Sequence, residues 1–349
     1  MPSWDPLMPM KQSSISIQEF FVSVDCVLGV VIEHYHGETK PVSLEVLSAA
    51  RKLADQISGK VIALCLCQSA NLEANLFIQH GADKVLFLTH PDLQHYIHEN
   101  YAFALLRLLE KSSFDYLLLP ATNNGKELSA VLSAQLGVGV ATDCIALSVN
   151  KEGYVEAVRP VSSGKAHSTV RFSGKKPHIL SLRPNIFRSP PLSRQGETIE
   201  EEAHLPELSQ KVQDLVIQVG SQLDITEARI VVSGGLGMQG PENFKLLEEL
   251  AEVLGGAVGA SRPVVDNRWR DYSNQVGQTG RTVSPDLYFA CGISGAVQHL
   301  AGMSSSGCIV AINSDPNAAI FSVADYGIVG DVIQVVPSLT REFKKILAF

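Results

Sequence analysis

The sequence predicts a two-domain α/β protein, and three observations carry the prediction. Short β-branched runs alternate with helix-period segments over 26–188, the same alternation restarts near Arg229, and 349 residues exceed what one typical core needs. Between the two stretches, 189–228 loses periodicity, gains Pro190-Pro191 and an acidic run over 197–202, and reads as a linker. The expected organisation is a loose tail over 1–25, a first domain over 26–188, the linker over 189–228 and a second domain over 229–349.

The tail contains Pro2, Pro6 and Pro9, one Lys, no Arg, and acidic Asp5, Glu19 and Asp25. Neither a secretory signal nor an Arg-rich transit peptide has that composition, so the cytoplasm is expected ahead of the mitochondrial matrix. In the first domain 61–66, 84–88 and 116–119 are apolar runs of strand length. Leu44, Leu47, Ala50, Leu53, Ala54 and Ile57 recur at helical spacing, and 103–109 repeats the pattern, which predicts helices covering a sheet. The runs 155–158, 168–172 and 178–182, separated by Gly and Pro turns, are expected as antiparallel strands closing this domain. In the second domain the strands are expected at 230–232, 257–260, 287–291, 309–312 and 332–336, with a helix over 242–254. Apolar strands without polar alternation imply a parallel sheet buried on both faces.

Composition excludes several classes. The longest apolar runs, such as 26–32, fall far short of the ~20 residues of a membrane span. A formal charge of −8, with no basic cluster beyond Arg268-Trp269-Arg270, argues against nucleic acid as a main partner. The six cysteines form no CxxC pair and no zinc spacing, and read as reduced, buried thiols. No Ser-His-Asp or Cys-His constellation and no metal-ligand cluster is apparent.

Two glycine loops and one polar loop carry the chemistry. Gly235-Leu236-Gly237-Met238-Gln239-Gly240 follows a predicted strand and precedes a helix, which fits the dinucleotide-binding fingerprint of a Rossmann-like domain; a plain tight turn is the alternative. The usual ribose-binding carboxylate is missing at the end of the next strand, where Ser261 and Arg262 stand instead and suit NADP. Further on, the run 286–292 is a buried strand, 293–295 a turn and 296–302 a short helix. Ser294 is expected to cap that helix and Gly295 to let a ligand approach the backbone, whose free N–H groups suit a pyrophosphate. His299 follows one turn later, near the carboxyl edge of the sheet. Between these loops, Gln275-Val276-Gly277-Gln278-Thr279-Gly280-Arg281 is polar and glycine-rich, as suits a loop around a flat polar ring such as a flavin, with groups for N5 and O4.

At these residues the chain resembles the α subunit of electron transfer flavoprotein. The runs 258–262, 275–280, 287–302, 309–313 and 324–327 match that family in order and spacing across 229–340, while the first domain is similar through 118–122, Gly125-Lys126 and 163–166. The resemblance implies an N-terminal nucleotide-hydrolase-like α/β sheet domain and a C-terminal domain that holds FAD. It implies Ser261 and Arg262 near the isoalloxazine, and Val276, Gly277, Gln278 and Thr279 wrapped around it with the Thr279 hydroxyl facing N5. Ser294, Gly295, Ala296, Val297, Gln298 and His299 would bind the pyrophosphate and flavin O2, with Asn313 and Asp331 reaching the ADP end. A cation or donor near N1 and O2 stabilises the anionic reduced ring, and His299 and Arg262 are the residues expected in that role.

The resemblance further implies a heterodimer with an electron transfer flavoprotein β subunit. As an electron carrier without substrate turnover of its own, the chain would take electrons from flavoprotein dehydrogenases, typically acyl-CoA dehydrogenases of fatty acid β-oxidation. It would pass them to a quinone-linked oxidoreductase or similar acceptor. The alternatives are an NADP-dependent oxidoreductase built on 235–240 and Arg262, a nucleotide-binding regulatory module, and a bifurcating variant of the carrier. Two departures stand out. The family's Gly-Gly-Arg-Gly reads Gly234-Gly235-Leu236-Gly237 here, which predicts a lower potential for the one-electron-reduced flavin, and 267–270 replaces an Ala-Gly-aromatic pattern.

Overall fold

Six apolar residues in a row form β1 (Val27–Ile32), all buried, at the centre of the first sheet. A computed structural model describes residues 26–35, 37–162, 164, 166–206 and 223–347. The expected loose tail over 1–25 and the linker stretch 207–222 lie outside the described residues. After β1 come α1 (Pro41–Gln56), β2 (Lys60–Cys67), α2 (Ala74–Gln79), β3 (Lys84–Thr89), α3 (His98–Lys111), β4 (Tyr116–Pro120), α4 (Asn123–Leu136) and β5 (Val140–Cys144). The chain continues through β6 (Ala146–Val149), β7 (Val155–Val161), β8 (Ala166–Arg171), β9 (His178–Leu182) and β10 (Glu197–Glu202). Seven of these strands make one parallel sheet in the order β10-β3-β2-β1-β4-β9-β5. Apolar clusters on its two faces, one around Leu47 and Phe77 and one around Leu105 and Leu117, form the first core.

Two expectations for this domain are corrected. Of the runs expected to be antiparallel, β7 and β8 are: β7 pairs with β8 on one side and β6 on the other in a separate three-stranded arm. The third, β9, instead lies parallel between β4 and β5, and its five residues are all buried, as a central parallel strand requires. The acidic run assigned to the linker is β10, an edge strand parallel to β3. Glu197, Glu200 and Glu202 are exposed while Ile199 packs on the core and half-buried Glu201 shares its side, a pattern that an edge strand tolerates. Fully buried Lys84 meets Glu197 at 3.3 Å, and Arg194 meets Asp83 at 2.7 Å, fastening this segment to the sheet.

The second domain contains β11 (Ile230–Gly234), α5 (Phe244–Leu254), β12 (Ala257–Ala260), α6 (Arg262–Asp266), β13 (Leu287–Cys291), α7 (Val297–Leu300), β14 (Ile309–Asn313), β15 (Tyr326–Val329) and α8 (Val332–Leu347). The strands form a five-stranded parallel sheet, β12-β11-β13-β14-β15, with apolar clusters on both faces. The strand expected at 332–336 is the start of α8, and the fifth strand is β15. Asp331 accepts a hydrogen bond from the Ile333 N–H at 3.0 Å, which stabilises the helix start, and Val332, Val336 and Thr340 then bury one helical face.

Polar contacts join the two domains. Lys40 reaches Glu227 at 2.7 Å, Arg281 donates to the Asn123 side chain at 3.0 Å, and Arg183 donates to Ser305 at 3.2 Å.

Candidate functional site

In the second sheet the chain runs from β11 to β12 on one side and then crosses to β13 on the other. The switch point therefore falls between the carboxyl ends of β11 and β13, where open α/β sheets place their ligands. A cleft of about 470 Å³ lies there. Its floor is backbone packed on backbone. The Gly235 N–H donates to Cys291 O at 2.9 Å and the Gly237 N–H to Gly292 O at 3.0 Å. A Cβ on Gly235 would stand 2.2 Å from Gly292 O, and one on Gly237 would stand 2.7 Å from Gly292 Cα. These glycines thus serve loop-to-loop contact. They do not open a helix directly, as the fingerprint would have it, because a short turn at Pro241–Asn243 intervenes and α5 begins only at Phe244. Leu236 projects from this loop onto the cleft wall and is half exposed.

The loop after β13 supplies a second wall through Ser294, Ala296, Gln298 and His299. Gly295 has φ +87°, and a Cβ there would lie 2.2 Å from the Ile320 nitrogen, so its inward position is open only to glycine. Gly295 and the exposed Val297 alternate away from the cleft lining. The expected Ser294 cap does not form: α7 spans only Val297–Leu300, its N-cap is Ala296, and no side chain caps it. One consequence is a run of unused donors. The backbone N–H groups of Ser294, Gly295, Ala296, Val297 and Gln298 donate to no described residue.

The third wall is the 275–281 loop, held from both sides. The Val276 N–H donates to Ala260 O at 2.9 Å and the Gln278 N–H to Gln298 O at 2.7 Å, while Gly277 takes φ +141°. Gln275 Nε2 donates to Thr279 Oγ1 at 3.1 Å, and Tyr272 Oη donates to the Thr279 carbonyl at 2.6 Å. With its oxygen already accepting, the Thr279 hydroxyl has its own proton to give. Ser261 is buried, with its N–H on Gly234 O at 2.9 Å, whereas Arg262 extends into solvent and meets Asp266 at 3.3 Å.

His299 is buried at the cleft wall, with Nε2 2.9 Å from the Tyr288 hydroxyl. Its Nδ1 is enclosed and lacks a partner of normal geometry. Burial pushes the imidazole down to about 4, against a raising contribution from the Val276 backbone, so the ring is neutral at pH 7. Of the two forms the sequence expectation allowed, cation or donor, a neutral ring leaves the donor. Among the described lining residues, Arg262 is the charged side chain.

The remaining expected residues divide. Asn313 lines the cleft, but its side chain is engaged: Nδ2 donates to Ile293 O at 2.9 Å and Oδ1 accepts from the Asp315 N–H at 2.9 Å. Asp331 is absent from the lining and is occupied at the start of α8. Pro263, Gln275, Gly292 and Ile293 also line the cleft. Gly292 carried a sequence signal in its φ-permissive position after a buried strand, and its φ is +63°. Gln275 opens the polar loop and is not among the expected site residues.

Comparison with known proteins bears on both domains. The family model of the electron transfer flavoprotein domain matches residues 28–206, and that of the electron transfer flavoprotein FAD-binding domain matches 224–304, a stretch holding most of the cleft. Electron transfer flavoprotein subunit alpha of Bacillus subtilis is 43% identical over 312 residues, covering 89% of this chain and 95% of that one. The subunit alpha of Thermoanaerobacterium thermosaccharolyticum is 40% identical over 321 residues, 91% of this chain and 97% of its own. Protein FixB of Azotobacter vinelandii is 38% identical over 354 residues, covering 98% and 97%. Among solved structures, a putative thiamin diphosphate-dependent enzyme from Mycobacterium smegmatis aligns at a TM-score of 0.24 and 12% identity, over 85% of this chain and 54% of that one, and carries no argument. FAD is the cofactor of the second domain. With both domains matched and full-length relatives near 40% identity, the chain belongs to the electron transfer flavoprotein α-subunit family.

Proposed function

We propose that this chain is the FAD-holding half of a heterodimeric electron carrier, loaded by flavoprotein dehydrogenases such as acyl-CoA dehydrogenases and discharged by a quinone-linked oxidoreductase in the cytoplasm. The observation that carries the reading is the run of unused backbone donors at Ser294, Gly295, Ala296, Val297 and Gln298 beside a cleft at the switch point. Unpaired N–H groups at a wall are costly unless water or a ligand accepts from them, and successive amides suit the oxygens of a pyrophosphate.

Bound FAD supplies one- and two-electron chemistry, and this chain's residues bind and tune it. The amides of 294–298 hold the pyrophosphate, the 275–281 loop grips the ring edge, and Thr279 donates its hydroxyl proton there. Ser261 and Gly237 shape the wall by close backbone approach. Arg262 and the neutral His299 N–H favour extra negative charge on the ring, the one by its field and the other by donation. The exposed Leu236 and Arg262 leave one side of the cleft uncovered by the described residues, which supports a β subunit completing the site.

Anaerobic mixing tests the reading. The heterodimer's flavin absorbance should bleach with a catalytic amount of acyl-CoA dehydrogenase and its acyl-CoA, and recover on adding a quinone-linked acceptor oxidoreductase. Bleaching by NADPH alone, with none through the dehydrogenase, would overturn it in favour of an NADP-dependent oxidoreductase.

A further inference from the structure

Beneath the cleft, β13 places a phenol where its neighbours are apolar. Tyr288 is fully buried among Val231, Val283, Ala290 and Met303, and its hydroxyl lies 2.9 Å from His299 Nε2. Phenylalanine would fill the same volume without desolvating a hydroxyl, so the oxygen needs a reason. On β11, Ser233 stands two residues beyond Val231, the register partner of Tyr288, and therefore on the same face. Ser233 is itself buried. It lies close enough to bias the Tyr288 ionisation, although its Oγ has no partner of normal hydrogen-bond geometry. A row Ser233, Tyr288, His299 thus runs from the sheet centre to the cleft wall.

The direction of the protons follows from the chemistry of each group. Burial raises the phenol far above its ordinary value, so Tyr288 keeps its proton, and nearby Ser233 opposes that rise. Tyr288 then has its own proton for Nε2, the nitrogen within reach. A neutral imidazole that accepts at Nε2 carries its proton on Nδ1. The Val276 backbone raises the imidazole's pKa, as a carbonyl facing an N–H would, yet Nδ1 has no protein acceptor of normal geometry.

We propose that Tyr288 is a positioning residue: its buried hydroxyl donates to His299 Nε2 and holds the imidazole in the Nδ1-protonated form and in one orientation at the cleft wall. This rests on the reading of His299 as a residue that meets bound FAD. Without the hydroxyl the ring is free to take the other tautomer or to turn.

A double-mutant cycle in the purified heterodimer tests it, reading the FAD dissociation constant and the flavin midpoint potential. Tyr288→Phe should weaken FAD binding roughly five- to thirty-fold, the size of one lost buried hydrogen bond, and lower the potential. In a His299→Gln background the same change should alter neither quantity. Ser233→Ala, a smaller change at the far end of the row, should act in the same direction more weakly and covers the case in which Tyr288→Phe does not fold. Equal effects of Tyr288→Phe with and without His299 would overturn the proposal, as would a lowered melting temperature with unchanged potential and affinity. If His299→Gln alone changes neither quantity, the reading of His299 as a flavin-contacting residue fails first, and the proposal with it.

Discussion

Gly295 and Ile320 meet so closely that a Cβ added to the glycine would stand 2.2 Å from the Ile320 backbone nitrogen. The Ile320 N–H donates to Ser294 O at 3.0 Å, so this contact sets the path of the whole 293–298 loop. Gly295→Ala adds a positive-φ penalty to the clash and should destabilise the protein by about 2–4 kcal/mol, with FAD binding lost beyond that. Thermal unfolding and flavin fluorescence check it; a variant that binds FAD as the parent does would show that the loop path is immaterial.

Leu236 occupies the cleft wall where a cation would face the ring. Leu236→Arg should raise the flavin midpoint potential, because a guanidinium in a partly desolvated site favours the more negative reduced ring. Redox titration reads this directly, and an unchanged or lower potential refutes it.

Thr279 is oriented by Gln275, whose Nε2 occupies its oxygen. Thr279→Val keeps the shape and removes the donated proton, and should weaken FAD binding by about tenfold. Gln275→Leu should produce a smaller loss, since the hydroxyl remains but can turn. Equal affinities across parent, Thr279→Val and Gln275→Leu would remove the hydroxyl from the site.

Glu45, on α1, gives a pH prediction away from the cleft. Burial raises its carboxyl to about 7, partly offset by backbone N–H groups of Asn185 and Phe187. The folded value lies above the unfolded one, so the folded state holds this proton more tightly and stability falls as pH rises from about 4.5 to 7. Glu45→Gln should therefore match the parent near pH 4 and exceed it by about 1–2 kcal/mol at pH 8. Denaturant melts at the two pH values measure the difference; equal stability at pH 8 would contradict the assignment.

Much of the second domain was legible in sequence because its strands are short apolar runs closed by glycine, a pattern that parallel, doubly covered strands require. Val332, Val335 and Val336 misled for a physical reason: β-branched residues suggest a strand, but Asp331 and the helical spacing through Thr340 and Phe343 override local propensity. The acidic Glu197–Glu202 run concealed an edge strand, since only its Ile199 marks the buried side. At the site, the three loops were visible as glycine and polar punctuation. What could not be read was which atoms remain unused. Neither the free amides of 294–298 nor the neutral state of His299 follows from residue identity, because both depend on how β13 and Tyr288 pack beneath them.

The central claim is that the amides of 294–298 hold the cofactor's pyrophosphate, and comparing FAD with riboflavin in the heterodimer tests it most directly. Riboflavin keeps the ring and lacks the pyrophosphate and nucleotide. Equilibrium fluorescence should show FAD binding at least about a hundredfold more tightly. Equal dissociation constants for the two would contradict the account.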